Sequence, residues 1–253
     1  MELKDFCTDL SLLDSPKDFV EGQMFLIDKP LNWTSFDIVK KMRSGLQNAI
    51  KIKKIKVGHA GTLDPLASGL VIVCTGKATK RIDDLMGYEK CYEARVKFGA
   101  TTPSFDVETE IDQEFPKSHI TRSAIQRALE EFHGEQLQMP PQYSAIKIEG
   151  RRAYDMARKG EIFQMKSRKV VFHDLQLLDF KEYEATIRIR RSKGTYIRSF
   201  ARDLALSLNS GGHLTGLRRT GIGPIRVEDA IKINEFNDQV ELLKEKWSKA
   251  GQI

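Results

Sequence analysis

The sequence predicts an α+β domain in which helices and loops flank a mixed, largely antiparallel sheet. Three observations lead there. The chain has 253 residues, 40% of them hydrophobic, which is enough for a substantial core in one large domain. Strand-like and helix-like patterns follow one another without regular β-α-β alternation, which speaks against a doubly wound sheet. The apolar runs are short, such as residues 70–74, whereas a membrane span needs roughly 20 residues.

In chain order, residues 23–28 form a short apolar run, read as a strand, that ends in a turn at Lys29-Pro30-Leu31-Asn32. Ser35 is expected to cap a helix reaching about Asn48, with Phe36, Val39, Met42 and Leu46 as its apolar stripe. Residues 55–57 read as a strand entering a loop, and residues 69–74 as a buried strand leaving it. Residues 92–98 alternate as a strand, and an acidic loop follows. Residues 121–133 give the clearest helix: Thr121 caps it, Ile125, Ala128, Leu129 and Phe132 share a face, and Gly134 stops it. Residues 143–148, 170–180 and 185–191 are further strands. A second clear helix is expected over 195–209, with Ile197, Phe200, Ala201, Leu204 and Leu208 facing the core.

Charge is segregated. The chain carries 41 Lys and Arg against 35 Asp and Glu. Residues 38–63 hold no acid but seven bases, namely Lys40, Lys41, Arg43, Lys51, Lys53, Lys54 and Lys56. Residues 185–227 hold nine bases and one acid, Asp203. Polyanion binding needs this arrangement, because each phosphate contact requires a cation that no neighbouring carboxylate cancels. An ordinary basic surface is the competing reading. The three cysteines are distant and form no CxxC pair, which fits reduced thiols in the cytoplasm and disfavours a disulfide framework or a structural zinc. The N-terminus MELKDFCTDLSLLDSPKD is acidic and lacks the apolar segment of a secretory signal.

Several catalytic motifs fail. Gly221 and Gly223 precede a proline and read as a turn, not a dinucleotide site. Gly76-Lys77 is not a phosphate loop, since Val71 and Ala78 stand where that motif needs glycine and Ser or Thr. The five histidines show no metal-ligand spacing, no GxSxG is present, and Cys74 reads as core. The informative stretch is Gly58-His59-Ala60-Gly61-Thr62-Leu63-Asp64-Pro65-Leu66-Ala67-Ser68-Gly69, a glycine-rich loop between two strands. An Asp before Pro commonly caps a turn. Here it also follows the acid-free basic segment, where a lone carboxylate calls for a chemical reason.

This stretch closely resembles the signature of tRNA pseudouridine-55 synthases, the TruB family. Other blocks follow in the family's order. Lys29-Pro30 and Trp33-Thr34-Ser35 resemble its KPxGxTS block, with Asn32 in place of the usual glycine. Lys90-Cys91-Tyr92-Glu93 resembles the KxY block, and Gln138 to Lys147 (QMPPQYSAIK) the QxPPxYSAxK block. Ser192 to Ser199 (SKGTYIRS) and Leu217-Arg218-Arg219 match two more. The likeness runs from about residue 22 to 235. It implies an N-terminal extension over 1–21, a pseudouridine synthase catalytic domain over 22–235 with a mobile RNA-clamping segment at 138–160, and a C-terminal tail over 236–253. Residues 239–253 are too few for the RNA-binding PUA domain usual in the family, so the catalytic domain is expected to supply most of the RNA affinity.

The resemblance implies roles. Asp64 is the catalytic aspartate of a reaction that breaks the C1′–N1 bond of uridine, rotates the uracil and joins C5 to C1′, without metal, nucleotide or redox cofactor. Whether it attacks sugar or ring, or acts as base at C2′, stays open. Arg198 is its ion-pair partner, placed by the helix pattern where it can turn inward. Tyr92 stacks on the target base, although core packing is the commoner role of a strand tyrosine. His59 braces the space left by the flipped nucleotide, against a purely structural histidine. Lys147, Arg151 and Arg152, with Arg158 and Lys159, clamp RNA; Lys53 and Lys54 contact phosphates; Leu217 lines the uracil pocket. The expected partner is the T-stem-loop of tRNA, met by a monomeric cytoplasmic enzyme with no membrane or metal partner. A non-catalytic RNA-binding or tRNA-folding protein on the same scaffold is the first alternative. A nucleoside N-glycosidase is the second, though a glycosidase usually needs another catalytic carboxylate that no block supplies.

Overall fold

The computed structural model describes residues 1–51 and 54–252. The first stretch carries α1 (Lys17–Glu21), β1 (Met24–Lys29), α2 (Ser35–Ile50), β2 (Val57–His59), β3 (Ala67–Thr75) and α3 (Ile82–Gly87). The middle carries β4 (Lys90–Phe98), the short pair β5 (Ala100–Thr101) and β6 (Gln113–Glu114), α4 (Arg122–Phe132) and β7 (Gly134–Gln138). It continues with the pair β8 (Lys147–Ile148) and β9 (Arg151–Arg152), α5 (Ala153–Arg158), β10 (Arg168–Lys181), β11 (Glu184–Arg191) and α6 (Ile197–Ser207). Last come β12 (Gly212–Ile222), β13 (Ile225–Arg226), β14 (Ile231–Lys232) and α7 (Ile233–Lys249). The chain divides into two compact units, one of Met1–Lys90 with Arg218–Ile253 and one of Cys91–Leu217.

In the first unit the strand order is β14-β1-β3-β12, with β2 on β3 and β13 on β12. The β1–β14 pairing is parallel and the β1–β3 and β2–β3 pairings antiparallel, the mixed pattern the sequence predicts. β3 is buried along almost its whole length, as an uninterrupted apolar run requires. On α7, Ile233, Phe236, Val240, Leu243 and Trp247 recur at helical spacing and turn inward. Trp247 meets Phe19 of α1 edge-on, so the N-terminal segment packs on this helix. In the second unit the order is β12-β4-β11-β10-β7, with antiparallel β10–β11 and β10–β7 pairs. Phe200 of α6 packs on Phe172 of β10 and on Phe132 of α4. No helix among the described residues is long and apolar enough to cross a membrane.

Three expectations need correction, and one strand was not foreseen. Thr34, not Ser35, caps α2: its hydroxyl accepts from the Asp37 amide while the Asp37 carboxylate accepts from the Thr34 amide. Ser35 is buried, and its hydroxyl accepts instead from Leu63 N at 2.8 Å. The strand expected over 55–57 lies at Val57–His59, so His59 ends a strand and is not a loop residue. Of residues 143–148 only Lys147–Ile148 is extended in a sheet, because Ser144 N closes a turn onto Gln142 O. Finally, β12 lies in a stretch whose glycines and arginines hide it from pattern reading; it is a central strand in spite of them.

Candidate active site

Asp64 sits on the hairpin loop between β2 and β3. Ala67 N donates to Asp64 O at 3.0 Å, so Asp64-Pro65-Leu66-Ala67 is a turn with proline at its second position, where a φ fixed near −65° fits. The loop is gripped from the segment before α2. Asn32 N donates to Pro65 O at 2.9 Å, and Leu63 N to Ser35 Oγ at 2.8 Å. Asn32 reaches Pro65 with a positive φ of 64°, a conformation asparagine tolerates better than most residues, which explains why it can stand where glycine is usual. Gly61 has φ 99°, and Gly69 has φ 106° with a notional Cβ that would overlap the Arg219 carbonyl oxygen. Neither position accepts a side chain without strain.

Two buried cations, Lys29 and Arg219, border this loop. The Lys29 side chain is fully buried, and its Nζ donates to Pro30 O at 2.8 Å and to Trp33 O at 2.6 Å. Burial pushes its ammonium down to about 8, with the Asp64 charge pulling upward and Arg219 pushing further down. The unfolded chain, with lysine near 10.5, therefore binds more protons between about pH 8 and 10.5, and stability contributed by this site rises with pH across that window. The charged ammonium costs on the order of 3 kcal/mol at neutral pH, relieved as it deprotonates. Chemical denaturation of wild type and Lys29→Met from pH 7 to 10 should show wild type gaining stability relative to the variant; parallel curves would contradict this. The His59 ring is half-buried, with Nδ1 enclosed and without a hydrogen-bond partner among the described residues. Burial, then the charge of Arg219, holds its pKa below the usual histidine value, so the ring is neutral at neutral pH. The purely structural reading lacks its expected hydrogen bond at that nitrogen.

Arg218 and Arg219 of β12 face different tasks. Arg218 makes a two-point contact with the Asp28 carboxylate, at 3.0 and 2.8 Å, and its Nη1 lies 3.4 Å from Ser68 Oγ. Arg219 points into backbone carbonyls of the loop. Sequence reading gave Lys29 no role and counted Arg218 and Arg219 only among the bases of the 185–227 run; the other signal was their place in the matching blocks.

The second unit holds Tyr92, Arg198 and Leu217. Tyr92 is 2% exposed on β4; Arg191 Nη2 donates to its hydroxyl at 2.6 Å, and the same guanidinium lies over the ring, 4.9 Å from its centroid. Arg198, in the first turn of α6, is 5% exposed, so it does turn inward. Its Nη1 is 3.4 Å from Ser104 O and its Nε 3.6 Å from Asp106 Oδ2. Leu217 is half-buried on β12. Cys74 is buried in β3 with its thiol pushed up to about 11 by burial, an inert core group.

The basic residues separate into two classes. Lys40, Lys41, Lys51, Lys54 and Lys56 are exposed in the first unit, whereas Lys53 lies outside the described residues. In 185–227, Arg188 and Arg190 are exposed, but Arg198 and Arg219 are buried and Arg191 serves Tyr92, so that run is not uniformly a phosphate-binding surface. Lys147 and Arg152 are exposed on the β8–β9 pair. Arg151 there pairs with Glu161, and Arg158 with Glu108 at 2.9 Å. Exposed pairs of this kind are worth little and can be exchanged for another anion.

Comparison with known proteins gives a consistent picture. Residues 47–197 match the model of the TruB family pseudouridylate synthase N-terminal domain, and residues 198–251 that of the tRNA pseudouridylate synthase B C-terminal domain. A tRNA pseudouridine synthase B of Phocaeicola vulgatus is 50% identical over 224 residues, covering 88% of this chain and 95% of that protein. One from Flavobacterium johnsoniae is 49% identical over 228 residues, covering 90% and 100%. Among solved structures, a chain of a Cbf5-Nop10-Gar1 complex has a TM-score of 0.67 at 24% identity, covering 96% of this chain and 62% of that one. A chain of an H/ACA RNP bound to a substrate RNA containing 2′-deoxyuridine has a TM-score of 0.64 at 23% identity, covering 94% and 58%. This chain thus spans about three fifths of those two, and the likeness establishes a shared pseudouridine synthase fold.

Proposed function

This chain belongs to the TruB family of pseudouridylate synthases, and from that premise we propose that it isomerises the uridine at position 55 in the T-loop of tRNA, with Asp64 as the reacting carboxylate. The observation that carries the proposal is the loop itself: the family's signature stretch folds into a turn whose backbone is fixed from Gly61 to Ala67, with one carboxylate at its tip. Fixing a reacting group in advance removes entropy from the barrier, worth several kcal/mol in well-oriented systems. In the reaction the C1′–N1 bond breaks, the uracil turns, C5 bonds to C1′, the C5 proton leaves to solvent, and the freed N1 takes up a proton. Asp64 serves as nucleophile or as base at C2′. Arg198 supplies the cation that pairs with Asp64 when RNA covers the site, and Tyr92, oriented by Arg191, stacks on the flipped uracil. The neutral ring of His59 suits stacking against bases, where a charge would cost desolvation. Leu217 offers an apolar wall to the uracil. The substrate and the free thiols both favour the cytoplasm.

Tritium release from tRNA carrying [5-³H]uridine tests the reading. Label should appear in water without free uracil and only when position 55 is uridine. Free uracil would indicate an N-glycosidase, and binding without release a non-catalytic RNA-binding protein.

Phosphate contact is proposed for Lys53 and Lys54, together with Lys147, Arg151 and Arg152 on the β8–β9 segment. Each phosphate neutralised adds about 0.7–0.9 to the slope of log affinity against log salt. The double variant Lys53→Gln/Lys54→Gln should weaken tRNA binding and flatten that slope, leaving the chemical rate at saturation unchanged. An unaltered slope would remove both lysines from the interface.

A further inference from the structure

Arg219 is 1% exposed, so its guanidinium is a charge taken out of water. Such a group is tolerated only when its donors are occupied. Nε donates to Leu70 O at 2.6 Å, Nη2 to Gly61 O at 3.1 Å and Nη1 to Thr62 O at 3.5 Å. Leu70 is on β3, after the loop, and Gly61 and Thr62 are on its rising side. One planar group therefore joins the two sides of the loop, and Thr62 stands two residues from Asp64. The backbone of the same residue presses on Gly69, which accepts it only because it has no Cβ. Side chain and backbone of one β12 residue thus fix both flanks of the turn.

We propose that Arg219 is a positioning residue for Asp64, setting the height and direction of the catalytic turn by bridging the carbonyls of Gly61, Thr62 and Leu70. The role rests on the reading of Asp64 as the reacting group. It differs from that of a phosphate contact, since a buried guanidinium facing carbonyls does not meet RNA. It also differs from that of a simple core cation, because its bonds go to the reacting loop. The felt charge agrees with this position: Arg219 shifts both Lys29 and His59, which border the same loop.

The test compares wild type with Arg219→Lys, which keeps the charge but loses the planar fork, and Arg219→Gln, which keeps two donors without charge. Val240→Ala on α7, a cavity variant in the core, serves as a control for lost stability. Single-turnover conversion, tRNA affinity and backbone amide exchange are measured at a temperature where each protein is fully folded. Arg219→Lys should react about 100-fold more slowly, the scale of a displacement near 1 Å, with affinity within about threefold. The amides of Leu63 and Ala67 should exchange about tenfold faster in both Arg219 variants than in wild type. Val240→Ala should keep its rate within about threefold even where its melting temperature is the lower. The role is overturned if Arg219→Lys reacts at the wild-type rate, if affinity falls as far as rate, if exchange in the loop is unchanged, or if Val240→Ala slows equally. Those outcomes leave the function intact in an active wild type; an inert wild type instead sinks the reading of Asp64.

Discussion

Asp64→Asn should leave pseudouridine formation undetectable, a loss beyond about 10⁴-fold, the upper range for a general acid or base. The substitution changes one atom and removes the charge, so neither a nucleophile nor a base remains at the loop tip. The fold should hold. The turn is closed through the Asp64 carbonyl by Ala67 N, and its neighbours by Asn32 N and Ser35 Oγ, none of which involves the carboxylate. Asparagine also accepts the position before proline in such a turn. Binding of tRNA should be equal to wild type or somewhat tighter, because a negative charge leaves a site that meets phosphates. The measurement is tritium release under single-turnover conditions, beside a filter-binding titration and a melting curve. Product formed by a preparation free of wild-type enzyme would remove Asp64 from the chemistry.

Much of the fold was legible because local and tertiary preferences agree. Thr121 opens α4 as the cap pattern requires, and Ile125, Ala128 and Leu129 are buried on one face. The apolar run at 69–74 lies within the buried strand β3, and the alternating run at 92–98 lies within β4, whose residues alternate between buried and partly buried, with Arg95 exposed. What failed was decided by contacts distant in sequence. Ser35 and Thr34 are both good caps; the choice falls to Thr34 because Leu63, in a separate loop, takes the Ser35 hydroxyl. β12 contains three glycines and two adjacent arginines, a poor strand by propensity. Its order comes from neighbours on both sides, and its glycines allow close approach of other side chains: a Cβ at Gly216 would collide with Arg95, 2.5 Å away.

The site divides in the same way. Asp64 and His59 stood out because they share one contiguous signature stretch, and block order supplied Tyr92 and Arg198. Lys29 and Arg219 were not legible, although both lie in matching blocks. Their work is to satisfy backbone carbonyls, and nothing in a sequence says which carbonyls a buried cation will face. Charge counting erred for a related reason. A run of arginines reads as a phosphate-binding face until burial shows that Arg198 and Arg219 point inward.

Arg198→Lys should cut single-turnover conversion by two orders of magnitude or more while tRNA affinity stays near wild type. Lysine keeps the positive charge but loses the planar, two-point contact that orients a carboxylate as well as ionising it. Arg198 has a carboxylate neighbour in its own unit, Asp106, 3.6 Å away and equally enclosed, so a loss of activity has two possible origins. Asp106→Asn separates them. If Arg198 acts through Asp64, Asp106→Asn should retain most of the rate and lose stability instead, since the buried guanidinium then loses the Asp106 carboxylate. A variant that binds tRNA poorly yet converts what it binds at the wild-type rate would make Arg198 an RNA contact. Equal losses in Arg198→Lys and Asp106→Asn would assign Arg198 to the core of its own unit and remove it from the chemistry.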